Sequence, residues 1–219
     1  MSITIDNTLK AKLPQLLLGG FIAEVKVNAS DSELLSLLDN EVATLEKQHT
    51  PESIRELSTV KANKNAYRAL GKDPNRYRPA AEALLRRVAN GKGLYHINNV
   101  VDVLNLISVK TGFSICGYNY AAIKGDVVMG IGQENEPYQG IGRGDLNIQN
   151  LPVFRDSEGA FGNPTSDSTR TMVGDETQQF LMIIIGFEGK KPIEKALDEA
   201  ISLLENYTSG KELERFYVD

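Results

Sequence analysis

INNVVDVLNLISVKTG, residues 97–112, is where the sequence changes period. Upstream of it, apolar residues recur at helical spacing between basic loops. Downstream they alternate, as in strands. Within the stretch, Ile97, Val100, Val101, Leu104 and Ile107 follow the i, i+3, i+4, i+7 spacing of one helical face. Val103, Leu106 and Val109 make a second side apolar, so this helix belongs inside a core. The polar stripe that remains carries Asn98, Asp102 and Asn105. Asn98 or Asn99 suits the N-cap, and Asp102 stands where a carboxylate favours the positive end of the helix. Capping leaves Asn105 unexplained. Mid-helix between two leucines, its carboxamide either fastens a neighbouring loop or faces a polar cavity, because burying it unpaired costs about 1–3 kcal/mol.

Downstream, period two predicts strands at Ser114–Asn119, Asp126–Gly130, Tyr138–Ile141, Asn150–Phe154 and Gln179–Phe187. FLMIII, residues 180–185, is apolar without alternation and reads as a central strand covered on both faces. The glycines of GIGRGD, residues 140–145, suit a bulge or tight turn, since no helix follows to make a dinucleotide site. Asn163–Glu176 is a long polar loop of the kind used for binding or left disordered, and Asp167 and Arg170 are spaced for a local ion pair. An amphipathic helix over Pro192–Asn206 and a charged tail close the chain.

Upstream, Ile3–Ile5 and Phe21–Val27 read as strands. Ser30 or Asp31 caps a helix with Leu34, Leu35, Leu38, Val42 and Leu45 on one face. Thr50-Pro51 starts a helix to about Val60, Asn65–Leu70 makes a short one stopped by Gly71, and Pro79 opens one through Val88. Together these predict one α+β domain over residues 1–219. Residues 1–60 form an auxiliary layer, 61–190 the core, and 191–219 a C-terminal helix and tail.

One cysteine excludes an internal disulfide and fits a reducing cytoplasm. With only His49 and His96 beside it, the chain has no standard zinc site, and no cofactor motif is present. No run approaches the roughly 20 apolar residues that span a bilayer, and LLLGGFIAEV is too short for a signal sequence, so neither membrane nor export is expected. The net charge of −5 argues against attraction of the whole surface to nucleic acid. Its distribution differs. Between Lys61 and Lys92 nine cations face only Asp73 and Glu82. That segment is either a footprint on a phosphate backbone or a set of internal ion pairs. Arg76, Tyr77 and Arg78 sit in a predicted loop, where such a cluster grips phosphate and stacks on a base, and they are the candidate RNA contacts.

INNVVDV, together with Asn105, Gly112 and the extended Ile115–Tyr120 segment, closely resembles the B3/B4 module of the phenylalanyl-tRNA synthetase β subunit, which hydrolyses mischarged tyrosyl-tRNA. AYRALGKDPNRYRPAAEALLRR, residues 66–87, is similar to stand-alone proteins built on that module, as is Asp167-Ser-Thr-Arg170-Thr171 before the last strand. The resemblance covers roughly residues 62–186. It implies a layered ββα sandwich with mixed and antiparallel strands and helices packed on one side. It also implies the aminoacyl end of tRNA as partner.

The chain departs from the synthetase pattern at the editing pocket. Leu104 stands for a Thr, Cys116 for a His and Asn119 for an Asp, and neither Thr171 nor Met172 supplies the Glu that reads a tyrosine hydroxyl. The resemblance and the polar stripe together nominate Arg68, Asn98, Asp102, Asn105, Cys116, Tyr118, Asp167 and Arg170 as pocket residues. Asn105, Asp167 and Arg170 are the candidates for orienting water. Two readings follow: a domain that deacylates mischarged tRNA in trans, or a non-catalytic pocket for an amino acid or nucleotide-like ligand.

Overall fold

Two strands and a short helix precede a run of five helices, and from Gly112 strands predominate until the last helix. The computed structural model describes residues 1–219. In order they form β1 (Ile3–Ile5), α1 (Asn7–Lys12), β2 (Leu17–Glu24), α2 (Ser32–Gln48), α3 (Pro51–Ile54), α4 (Ser58–Ala69), α5 (Ala80–Ala89) and α6 (Asn99–Thr111). Then come β3 (Ser114–Asn119), β4 (Val127–Ile131), β5 (Gln139–Gly140), β6 (Gly144–Asp145), β7 (Pro152–Asp156), β8 (Gly159–Gly162), β9 (Gln179–Gly186), α7 (Lys190–Thr208) and β10 (Lys211–Val218).

Local chemistry sets the boundaries. Asp31 caps α2 by accepting from Glu33 N and Leu34 N, and Thr50 and Ser53 form a reciprocal capping box on α3. Gly112 ends α6 at φ 72°, where a side chain would be strained and would also strike Thr59. The expected glycine turn within residues 140–145 is the small β5–β6 hairpin, with Gly142 and Gly144 both at φ 67°.

Two four-stranded sheets stack. One has the order β10-β2-β9-β3 and is antiparallel throughout; the other, β1-β4-β7-β8, is mixed, with β1 parallel to β4. β9 lies inside the first sheet and divides its side chains between two cores. Phe180, Met182 and Ile184 join the core under α2, α5, α6 and α7. Leu181, Ile183 and Ile185 join the core between the sheets, with Val127, Met129, Phe154 and Phe161. Burial on both faces is why FLMIII lacks alternation. The architecture is the expected layered α+β sandwich.

Three features differ from the sequence reading. β2 sits between β10 and β9, so the first sixty residues supply an interior strand of the main sheet. The charged tail is the edge strand β10. Its Phe216 packs over Gly20 and its Tyr217 over Gly19, while Lys211, Glu212, Glu214 and Arg215 mask the alternation. Residues 50–70 break at Arg55–Leu57 rather than before Asn65, giving the short α3 and a full three-turn α4.

Candidate functional site

The polar stripe of α6 is occupied with fastening. Asn98 is the N-cap, its Oδ1 accepting from Val101 N at 2.9 Å. Asn99 Oδ1 accepts from Asn28 N at 2.9 Å, and its Nδ2 donates to Lys26 O at 3.1 Å and Tyr207 O at 2.8 Å. It therefore ties the segments after β2 and at the end of α7 to the start of α6. Asp102, fully buried, accepts from Ile97 N at 2.9 Å and from the Ser30 hydroxyl at 2.6 Å. Ile97 itself precedes the helix and is exposed. Asn105 is half-buried and its carboxamide makes no hydrogen bond within the fold.

Cys116 and Tyr118 are on the other side of the sheet. Alternation along β3 turns Ile115 toward the helices and sends Cys116 and Tyr118 into the core between the sheets. Leu104 comes down on Gly117, where a Cβ would collide with it and with Phe180. A pocket joining Asn105 and Asp102 to Cys116 and Tyr118 is thus divided by the sheet itself.

The 163–176 loop does meet β3, through backbone. β3 is an edge strand, and its outward Gly117 N–H donates to Asp167 Oδ2 at 3.2 Å. Burial pushes the Asp167 carboxyl up to about 7, against the Tyr118 hydroxyl, the Gly117 N–H and the Cys116 thiol, which pull it down. Asp167 Oδ1 and Tyr118 Oη are both shut off from solvent without a well-formed partner. Burial, with Asp167 alongside, also pushes the Cys116 thiol up, which keeps it protonated and unreactive.

Arg170 does not pair with Asp167. It grips Asp156 through both terminal nitrogens, at 2.8 and 3.0 Å, and Glu158 at 3.2 Å. Burial alone would raise the Asp156 carboxyl, but Arg170 and two backbone N–H groups hold it below its ordinary value. The loop is ordered by Asn163, which caps Thr165 and Ser166, and by Ser168 N donating to Phe161 O.

The basic segment resolves into paired and free cations. Lys64, Arg78 and Arg86 converge on Glu82 Oε1 at 3.5, 3.7 and 3.6 Å, with Glu82 only 1% exposed. Because Glu82 belongs to the same segment, this pairing does not draw on the acidic remainder of the chain. Lys72 is buried, donating to Asn147 O and Gln149 O at 2.9 and 2.6 Å, and burial, reinforced by Arg76, lowers it to about 8. Its ammonium also sits 3.6 Å from the centre of the Tyr77 ring, which packs half-buried on the Tyr67–Leu151 cluster. Arg87 stacks on Tyr95 at 3.7 Å. Arg76 is exposed, and Arg78 keeps 40% of its side chain in solvent.

Four cations, Arg55, Lys61, Lys64 and Arg68, enclose a cleft of about 560 Å³ with Glu56, Asn65 and Asn75 and no apolar side chain. Lys61 pairs with Glu56 at 2.6 Å, and Lys64 forms the buried floor, 3.2 Å from Asn75 Oδ1. Arg68 donates only to Asn65 Oδ1, and neither it nor Arg55 has a carboxylate partner. This cleft was legible in part: Lys61, Lys64 and Arg68 follow i, i+3, i+7 on one face of α4. Arg55 was not, because only the break after α3 turns it toward that face.

The family model for the B3/4 domain matches residues 62–209. An N-terminal fragment of the phenylalanyl-tRNA synthetase β subunit from Pyrococcus horikoshii is among the solved structures that match, at 14% identity and a TM-score of 0.49. That match covers 99% of this chain and 50% of the fragment, so the chain spans about half its length. No curated protein matches.

Proposed function

The chain belongs to the B3/4 domain family, and from that premise we propose that it is an RNA-binding module that takes the aminoacyl end of tRNA at the basic face of α4. The observation that carries this reading is the cleft of Arg55, Lys61, Lys64 and Arg68, two of whose guanidinium groups have no acidic partner in the fold. Unpaired cations gathered without apolar neighbours in a protein of net charge −5 are a local anion footprint. Arg76 and the exposed part of Arg78 extend it along the loop before α5. Tyr77, tucked under Lys72, serves to position that loop.

Holding RNA is better supported than cleaving its ester. Leu104 and Cys116 stand where the resembling synthetases carry polar editing groups, one packed on Gly117 and the other buried as a thiol. The proposal is tested by titrating tRNA at increasing salt. Affinity should fall steeply, and Arg68→Ala should weaken binding uniformly across sequences and reduce the salt slope by about 1. Undetectable binding at low salt overturns it. A panel of mischarged tRNAs should keep their ester in the presence of the protein; accelerated deacylation of any one would replace the binding reading with trans-editing.

A further inference from the structure

α4 faces a second cleft beside the basic one. It measures about 540 Å³ and is walled by Leu13, Pro14, Ala62, Ala66, Ala69 and Phe187. Lys61 and Asn65 line both clefts and form the ridge between them. The helical period explains the arrangement: Ala62, Ala66 and Ala69 lie at i, i+4, i+7, next to the Lys61, Lys64, Arg68 row. Small side chains on the helix leave room, and the opposite wall comes from the turn after α1 and from Phe187, just past β9. Phe187 is half-buried, so it is held by the core between the sheets while part of its ring lines the cleft. Ser58, Gln15 and Asn65 supply polar groups at the rim.

A charged cleft that takes phosphate and an adjoining cleft with an aromatic ring match the two halves of a nucleotide. We propose that α4 carries a composite site for one unit of single-stranded RNA, with its phosphate over Lys64 and Arg68 and its base in the Phe187 cleft. The inference rests on the RNA-binding reading and specifies where in that surface sequence-tolerant stacking occurs. Phosphate in the basic cleft is cradled by Arg55, Lys61 and Arg68 in the manner of backbone-positioning contacts, and Phe187 supplies the π-face. In the basic cleft Lys61 is held by the exposed Glu56 and Lys64 by Glu82 and Asn75, while Arg68 donates only to Asn65 and Arg55 has no carboxylate partner, so the two guanidinium groups are the ones left to meet a phosphate.

Binding of a short single-stranded RNA, of adenosine monophosphate and of inorganic phosphate to the full chain tests the proposal. The RNA and the nucleotide should bind about tenfold or more tightly than phosphate, in line with one stacked base. Phe187→Leu keeps apolar bulk but removes the aromatic face, and should weaken RNA and nucleotide about tenfold while leaving phosphate unchanged. Ala62→Leu, at a half-exposed helical position, fills the same cleft and should do likewise. Arg68→Ala should weaken all three. Equal affinity for phosphate and nucleotide, or RNA binding untouched by both Phe187→Leu and Ala62→Leu, overturns the base site while leaving the basic cleft as an RNA contact. No RNA binding by the unaltered protein removes both.

Discussion

Asp167→Asn separates the electrostatic cost of a buried carboxylate from the hydrogen bond that the same side chain makes. Asn keeps an oxygen to accept from Gly117 N, puts an amide nitrogen in place of the buried, unpartnered Oδ1, and removes the titration. Burial raises the carboxyl from an ordinary 3.8 to about 7 in the folded protein. A raised acid binds its proton more tightly when folded, so its contribution to stability is complete below about pH 4 and is lost as pH rises through about 7. At about 1.4 kcal/mol per pH unit, the gap sets an upper limit of about 4 kcal/mol. Asp167 as a whole is only partly buried, and relaxation around the carboxyl reduces the figure, so about 2–4 kcal/mol is expected.

Urea unfolding of both proteins between pH 4 and pH 8 reads this out. Glu136 and Asp156, whose carboxyls are held low, lose their contribution only as pH falls, and they are common to both proteins. The difference between the two curves therefore isolates Asp167. Asp167→Asn should gain about 2–4 kcal/mol on the unaltered protein across this range, most of it between pH 5 and 7. Parallel curves would show that Asp167 ionises in the fold as readily as in the unfolded chain, and the argument that burial against the β3 edge raises its carboxyl would fail.

Glu82→Gln leaves Lys64, Arg78 and Arg86 around a neutral amide; with Arg78 partly solvated, a loss of about 3 kcal/mol is expected in chemical denaturation, and a loss below about 1 would mean the three cations do not depend on the carboxylate. Asn99→Ala strands Lys26 O, Tyr207 O and Asn28 N, which should cost about 3 kcal/mol and open hydrogen exchange first at residues 26–28 and 207. Asn105→Leu removes no hydrogen bond and should fold with stability within about 0.5 kcal/mol of the unaltered protein. Unfolding of that variant would reveal a fastening role that the geometry does not contain. Cys116, 1% exposed with its thiol pushed up, should resist alkylation at neutral pH until the protein is unfolded.

Sequence and structure agree best where a cap, a glycine or a clear period marks the element. The α6 helix ends at Gly112, the β3 strand at Ser114–Asn119 and the β9 strand from Gln179 stand where period and caps put them. They part where a distant partner decides. Lys211–Val218 looks like a charged tail until Gly19 and Gly20, nearly two hundred residues earlier, provide the space for Tyr217 and Phe216. Arg170 is three residues from Asp167, yet a strand hairpin delivers Asp156, its side chain shut off from solvent, with better, two-pronged geometry. Spacing along a loop cannot anticipate that choice.

The candidate site fails to assemble as one pocket for a reason visible in β3 alone. Period two means that neighbouring residues of a strand serve opposite faces, so Cys116 and Gly117 belong to different cores. The helix α6 lies on only one of those faces. Gly117 is the position that meets Leu104, and Cys116 meets the second sheet. A likeness in the string around α6 and β3 therefore transfers the scaffold without a shared cavity for these side chains. The face of α4 carries two adjoining open clefts. There the helix repeats every three to four residues, and basic and small side chains run in adjacent rows; Lys64 and Ala66 are drawn into the packing, while Lys61, Arg68, Ala62 and Ala69 still reach solvent. The proposed RNA binding on that face requires no group from the polar stripe of α6, so variants at Asn105 and at Arg68 should act independently: Asn105→Leu should leave RNA affinity unchanged, and Arg68→Ala should lower it without altering the fold.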